Sequence, residues 1–253
     1  MLWAFARRYA APLLAPLRHQ LWHLRPPTPE RRRDLPIYAV WTRKRQLALT
    51  FDAGHGNEDA AQILAILRCH RVRATYFVTG DWVRAYPDDT LAILAAGHEL
   101  GNHSDSHSHM TRISDADKRA EITLLHDAVR RLTGHDMSLF RAPYGDYDDA
   151  VVQAARACGY TTVQWNVDSL DWMNRGAADI VRTVTQHQRL RNGSIVLLHV
   201  GTRFTAEAEA LDTLIVELKQ QRFQLVPVSE LILRENYYLA VDGTQVPLRW
   251  RPS

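Results

Sequence analysis

The sequence predicts an α/β fold: a distorted (β/α) barrel of seven or eight parallel strands, its site at the strand C-terminal face, followed by a C-terminal β-hairpin extension. Two observations predict it. From Ile37 to Val226, short apolar runs of strand type alternate with stretches whose apolar residues recur at helical spacing. Such alternation builds a parallel sheet, and so many units favour closure into a barrel. The apolar runs also end repeatedly in ionisable residues: Asp52, His103, Arg141, Asp168 and His199. Strand ends of a βα barrel converge on one mouth, and packing gives no reason to deliver Asp, His, Arg, Asp and His there.

The elements follow in order. Gln46–Phe51 reads as a strand. Asn57 is expected to cap the next helix, whose acids Glu58 and Asp59 suit its N-terminus and whose Ala60, Ile63, Leu64 and Leu67 share a face. Ala74–Val78 is a strand, and Pro87 opens a helix through Ala96 with Gly97 as its stop. Ser114 and Asp117 resemble a capping box, opening a helix with Leu125, Ala128, Val129 and Leu132 on one side and Gly134 at its end. A strand near Leu139, a helix Asp148–Cys158, a strand Thr161–Asn166, a helix Ala177–His187, a strand Ile195–His199, a helix Ala206–Gln220 and a strand Phe223–Val226 continue the rhythm. In Tyr237–Trp250 two extended runs flank Asp242-Gly243, a hairpin signal. The expected layout is a basic N-terminal arm with a Pro-rich linker (1–36), the barrel domain (37–236) and the hairpin extension (237–253).

The chain has 253 residues, 46% hydrophobic and 23% charged, which is ordinary for a soluble domain with a large core. The net charge of +3 conceals a basic arm, with Arg7, Arg8, Arg18, Arg25 and Arg31–Arg33 and few acids. Such an arm either makes peripheral contact with a membrane or an anionic wall polymer, or stays solvated. No nucleic-acid motif accompanies the charge, so nucleic acid is not an expected partner. Met1–Leu17 is apolar but interrupted by Arg7, Arg8, Pro12 and Pro16, without a clear export signal or a spanning run of about 20 apolar residues. Cys69 and Cys158 sit in apolar helical patterns and read as small buried hydrophobes, with no CxxC neighbour for thiolate chemistry.

The sharpest local signal is His103-Ser-Asp-Ser-His107. Two imidazoles at i and i+4 meet on one face of a helical turn and can share an ion; with His98 and His109 nearby, a non-specific metal-affinity surface is the competing reading. Asp168-Ser-Leu-Asp171-Trp172 reads either as a loop with a core Trp or as a buried acid orienting a histidine while Trp172 walls a pocket. No GxSxG elbow is present, which disfavours a serine nucleophile.

Thr50-Phe51-Asp52-Ala53-Gly54, His103–His107, Arg141-Ala142-Pro143-Tyr144, Asp168–Trp172 and Leu197-Leu198-His199, in this order, resemble the five motifs of the polysaccharide deacetylase (NodB homology) domain, carbohydrate esterase family 4, over roughly residues 37–232. Gly56–Asp59, Gly101–Asp105 and Pro143–Tyr147 look like its sporulation-type branch (the PdaB type). The resemblance implies a metal-dependent hydrolase that removes N-acetyl groups from N-acetylglucosamine or N-acetylmuramic acid units of peptidoglycan, in the cell envelope or outside the cell, spore-associated for that branch. It implies a divalent cation, zinc first and cobalt or another ion as alternative, held by His103 and His107. It makes Asp52 the general base, Arg141 its orienter, His199 the general acid kept protonated by Asp171, and the Tyr144 N–H an oxyanion donor. Pro143, Tyr144, Trp172 and Leu197 line the substrate.

One position departs. Most of the family has a second Asp after the base as third metal ligand, and this chain has Ala53. The site is expected to bind metal more weakly, with water, Asp52 or a neighbour such as His55 completing the shell; His55 otherwise reads as a loop residue at the pocket rim. Two other functions stay open: a catalytically weak or inactive wall-binding protein, and an O-deacetylase of acetyl-xylan or small esters. Oligomeric state is not legible.

Overall fold

The computed structural model describes residues 34–173, 175–201 and 206–248, with side chains of the last segment from residue 208 onward. The basic stretch and the Met1–Leu17 segment lie outside the described residues. In chain order the elements are β1 (Ala39–Val40), β2 (Gln46–Ala53), α1 (Ala60–Cys69), β3 (Thr75–Val78), α2 (Gly80–Ala85), α3 (Pro87–Ala95), β4 (Glu99–Asn102), α4 (Asp115–Thr133), β5 (Leu139–Phe140), α5 (Asp149–Ala157), β6 (Thr161–Thr162) and β7 (Val167–Asp168). After these come α6 (Ala177–Thr185), β8 (Ile195–Val200), α7 (Ala206–Gln220), β9 (Gln224–Leu225), α8 (Val228–Leu231), β10 (Tyr237–Leu239) and β11 (Thr244–Pro247).

The main sheet runs β6-β5-β4-β3-β2-β8-β7, with β9 on the start of β2, and its pairs are parallel. This is the distorted barrel the sequence predicts. Of the expected strand Thr161–Asn166 only Thr161–Thr162 is strand, as β6, and β7 begins one residue beyond it at Val167. Between them the backbone turns to Ile37, which donates its N–H to Thr162 O (2.9 Å) and accepts from the Gln164 N–H (2.8 Å).

Strand β2 shows how the layers form. Side chains alternate along a strand: Leu47, Leu49, Phe51 and Ala53 join the large cluster with Ile63 and Leu67 of α1 and Leu211 and Leu214 of α7. Ala48 joins the inner cluster with Phe77, Leu139, Val163 and Ile195. Asp52, two pleats beyond Ala48, therefore shares the inner face.

The helices begin and end on local signals. Ser114 Oγ accepts the Asp117 N–H (3.2 Å) at the start of α4, and Gly134 closes it at φ 71°. Asp148 accepts the Val151 N–H (2.9 Å) ahead of α5. Asn57 is not the cap it was expected to be: α1 starts at Ala60 after Asp59, and the Asn57 amide donates to Asp89 Oδ2 (2.6 Å) instead. The cysteines are unpaired as expected, but less buried than expected. Both are free, Cys69 exposed and Cys158 half-buried. Strands β10 and β11 pair antiparallel around Asp242-Gly243, and β11 runs parallel to β1, so the C-terminal hairpin packs on the residues that lead into the barrel.

Candidate active site

At the C-terminal mouth of the sheet lies a cleft of about 1000 Å³ lined by Asp52, His103, His107, Tyr144, Trp172, Leu197 and His199. Behind this wall stand Arg141 and Asp171, 0% and 2% exposed, and Pro143 is buried in the turn before Tyr144. Residues predicted from separate segments thus come together.

Asp52 and Arg141 form one half of the site. The Arg141 guanidinium donates to Asp52 Oδ1 (2.6 Å) and to Gln164 O (3.3 Å), and packs over the Phe77 ring at 4.0 Å. Burial would raise the Asp52 carboxyl, but the charge and hydrogen bond of Arg141, with His199 beyond it, outweigh this and hold the group below the usual carboxylate range.

His199 and Asp171 form the other half. Asp171 uses both oxygens on one residue: Oδ1 meets His199 Nδ1 at 2.7 Å and Oδ2 accepts the His199 backbone N–H at 2.8 Å. Ring and backbone are fixed together, with Nδ1 as the donor to the carboxylate. Burial alone would favour neutral imidazole; the hydrogen bond and charge of Asp171, then Asp52 and Asp168, reverse this and raise the His199 pKa. Asp171 is set in turn by Ser169 Oγ, which accepts its N–H at 3.3 Å.

His103 and His107 meet, with ring centroids 5.0 Å apart, but not on the helical turn expected from their spacing. Their segment is irregular backbone beyond β4, with Ser104 at φ 66° and His107 at φ 57°. Side chains clamp this strained loop. Arg84 holds Asp105 through two hydrogen bonds (2.8 and 3.0 Å), and Glu121 accepts the Ser106 N–H (2.8 Å) and Oγ–H (2.7 Å). His103 Nδ1 donates to Arg141 O (2.8 Å), which leaves Nε2 with a lone pair, 3.4 Å from Asp52 Oδ2.

The donor chemistry suits a divalent cation in part. Burial lowers the pKa of His103, and burial followed by His103 and His55 lowers that of His107 to about 3, so both imidazoles stay neutral, the ligating form. His107 Nδ1 is buried without a hydrogen-bond partner. The third ligand is what is missing: Ala53 faces the helical layer, and among the described residues no three His, Cys, Asp or Glu side chains form a ready cation site.

Tyr144 sits at φ 60°, its ring stacked on His109 (4.2 Å) and edge-on to His107 (4.5 Å). Tyr144 and Trp172 are 59% and 51% exposed and flank the cleft as aromatic surfaces. Sequence reasoning passed over Trp165, Tyr86, Glu58 and Gly201, which also line it. Only Trp165, just ahead of the Asp168 motif, offered a positional signal.

Comparison with known proteins gives the family. Residues 39–163 match the family model described as polysaccharide deacetylase. The chain is 34% identical over 201 residues to a peptidoglycan-N-acetylglucosamine deacetylase of Bacillus cereus, covering 77% of this chain and 93% of that one. It is 34% identical over 188 residues to the peptidoglycan-N-acetylmuramic acid deacetylase PdaC of Bacillus subtilis, covering 74% of this chain and 39% of that longer protein. The structure of a family 4 pseudoenzyme from Bacillus anthracis superposes with a TM-score of 0.75 at 30% identity, over 84% of this chain and 73% of that one. The chain belongs to the polysaccharide deacetylase family, carbohydrate esterase family 4.

Proposed function

We propose that this chain is a metal-dependent hydrolase that removes N-acetyl groups from N-acetylglucosamine or N-acetylmuramic acid units of peptidoglycan, in the cell envelope or outside the cell. The observation that carries the reading is the pairing of oppositely tuned groups in one cleft: an ionised Asp52 held by Arg141 and a His199 held toward its protonated form by Asp171. A surface that only binds sugar has no need of a base, its orienter and a paired acid.

In this mechanism His103 and His107 would hold the cation, which supplies Lewis-acid polarisation of the acetyl carbonyl and eases deprotonation of the attacking water. Asp52 takes the proton from that water while Arg141 fixes the carboxylate's direction. The Tyr144 backbone N–H faces the tetrahedral oxyanion, in a conformation the positive φ of Tyr144 sets. His199, with Nδ1 committed to Asp171, gives the proton of its other ring nitrogen to the departing sugar amine. Leu197 and Trp172 flank the acetyl methyl, and Tyr144 and Trp172 give the sugar rings aromatic faces. Spore association and the sporulation-type branch belong to this proposal as its narrower form, as does the three-part layout with a basic arm at residues 1–36, a deacetylase domain at 37–236 and a hairpin extension at 237–253.

A second reading rests on Ala53: a wall-polysaccharide binder with weak or no catalysis. Acetate release from peptidoglycan, chitooligosaccharide and acetyl-xylan, with and without added zinc or cobalt, separates the two. Metal-stimulated release from peptidoglycan supports the proposal. Release from acetyl-xylan alone makes the chain an O-deacetylase, and no release beside retained peptidoglycan binding makes it the binder.

A further inference from the structure

The chain carries one more imidazole beside the two-histidine site, and the mechanism above does not use it. His55 lies two residues beyond Ala53 in the loop leaving β2, and lines the same cleft as Asp52, His103 and His107. Its ring stands edge-on to His107 at 5.2 Å and 69°; His107 stands in the same relation to His103 at 5.0 Å and 64°. The three rings form a row with His107 at its centre, and the buried Nδ1 of that central ring has no hydrogen-bond partner. A desolvated ring nitrogen without a partner is costly, and a cation shared along the row would satisfy donors of this kind.

We propose that His55 is the third protein ligand of the cation site, forming a three-histidine set with His103 and His107 in place of the carboxylate that Ala53 lacks. The assignment rests on the metal-dependent reading of the cleft. The rings do not enclose an ion as they stand, so one must turn inward. His103 is fixed, 2% exposed and bound to Arg141 O, whereas His55 is exposed and keeps its rotamer choice. The backbone under His55 is pinned while its side chain is open. Trp82 Nε1–H donates to Gly56 O (2.6 Å), Gly56 adopts φ 60°, and the Gly201 backbone passes so close that a Cβ there would lie 2.1 Å from His55 O. Imidazole ligands carry no charge of their own and so would leave the cation its full double charge, where a carboxylate ligand would cancel one unit.

The test is calorimetric zinc titration of the metal-free full chain as wild type, H55A and H103A, with visible absorption of the cobalt-loaded proteins as a second readout. Loss of groups that merely support metal ligands weakens binding about 10–100-fold, so H55A is expected to weaken zinc at least about 10-fold and to change the cobalt spectrum, with far-UV circular dichroism unchanged. If H55A binds zinc as tightly as wild type with the same cobalt spectrum while H103A loses binding, His55 is a rim residue and only this inference falls. If wild type itself binds no zinc, the metal-dependent reading falls with it.

Discussion

Asp52 and His199 are Cα partners across the parallel β2–β8 pair, yet each is bound to a different buried counter-charge, Arg141 at 2.6 Å and Asp171 at 2.7 Å. Neighbouring strands lie about 4.8 Å apart, so the sheet itself brings a carboxylate and an imidazole to one mouth. The partners then drive them in opposite directions, the acid downward and the imidazole upward. Environments that push two titratable groups apart divide the roles of base and acid between them.

The pH dependence of activity follows from those directions. A base must be ionised, so activity is expected to fall on the acid side only below the ordinary carboxylate range, where Asp52 gains its proton. An acid must be protonated, so activity falls on the alkaline side as pH rises through the raised pKa of His199. D171N removes the charge and one of the two acceptor oxygens that hold His199. The alkaline limb of kcat is expected to move to lower pH and kcat to drop about 10²-fold or more. A D171N profile with an unmoved alkaline limb would show that His199 does not act as the acid.

Arg141 tests stability separately from chemistry. Its guanidinium is fully buried against Asp52, and removing one partner of a buried pair costs about 3–5 kcal/mol because the other charge is left alone. R141M is expected to lose that much in urea unfolding at neutral pH, and D52N/R141M to recover part of it. The sign with pH is fixed by Asp52: its folded pKa is depressed, so the wild-type pair stabilises above the unfolded carboxylate pKa and the contribution fades as pH falls through the folded value. The gap between wild type and R141M therefore narrows in acid. Equal losses in the single and double variants would contradict the ion-pair account.

Much of this architecture was legible because it rests on local physics. Apolar alternation gave β2 and β8, cap signals gave Ser114 and Gly134, and polar residues at strand ends gave the mouth. The misreadings have physical causes. HxxxH at helical spacing suggested a helix, but Ser104 and His107 take left-handed backbone held by Arg84 and Glu121, residues distant in sequence. Thr161–Asn166 has strand composition throughout, but its middle is claimed by Ile37, more than a hundred residues earlier. Asn57 has a capping side chain that Asp89 engages instead. In each case a long-range partner overrode a local signal, and no spacing rule encodes that partner.

The loop clamp yields a prediction of its own. Glu121 takes two hydrogen bonds from Ser106, one residue before His107, and lies outside the cleft wall. E121A is expected to leave the fold intact and to weaken zinc affinity about 10-fold or more, as loss of groups supporting a ligand does, while E121Q, which keeps an acceptor oxygen, recovers most of it. Calorimetry on both variants checks this. Equal affinities in E121A and wild type would show that His107 is held without the clamp.

Ala53 supplies the last prediction. It is fully buried, faces the apolar layer and has Val78 and Val200 as strand neighbours. An aspartate there without a cation is a buried unpaired charge, so metal-free A53D is expected to melt below wild type, by about 2–4 °C for each kcal/mol lost in a domain of this size. Ligand that binds only the folded state stabilises it in proportion to affinity, and a carboxylate adds a charged oxygen to a site built from neutral imidazoles. Zinc is therefore expected to raise the Tm of A53D by more than it raises that of wild type, and to bind A53D more tightly in calorimetry. An equal zinc shift in the two proteins would mean that position 53 does not reach the cation, and that the weakness expected of this site has another origin.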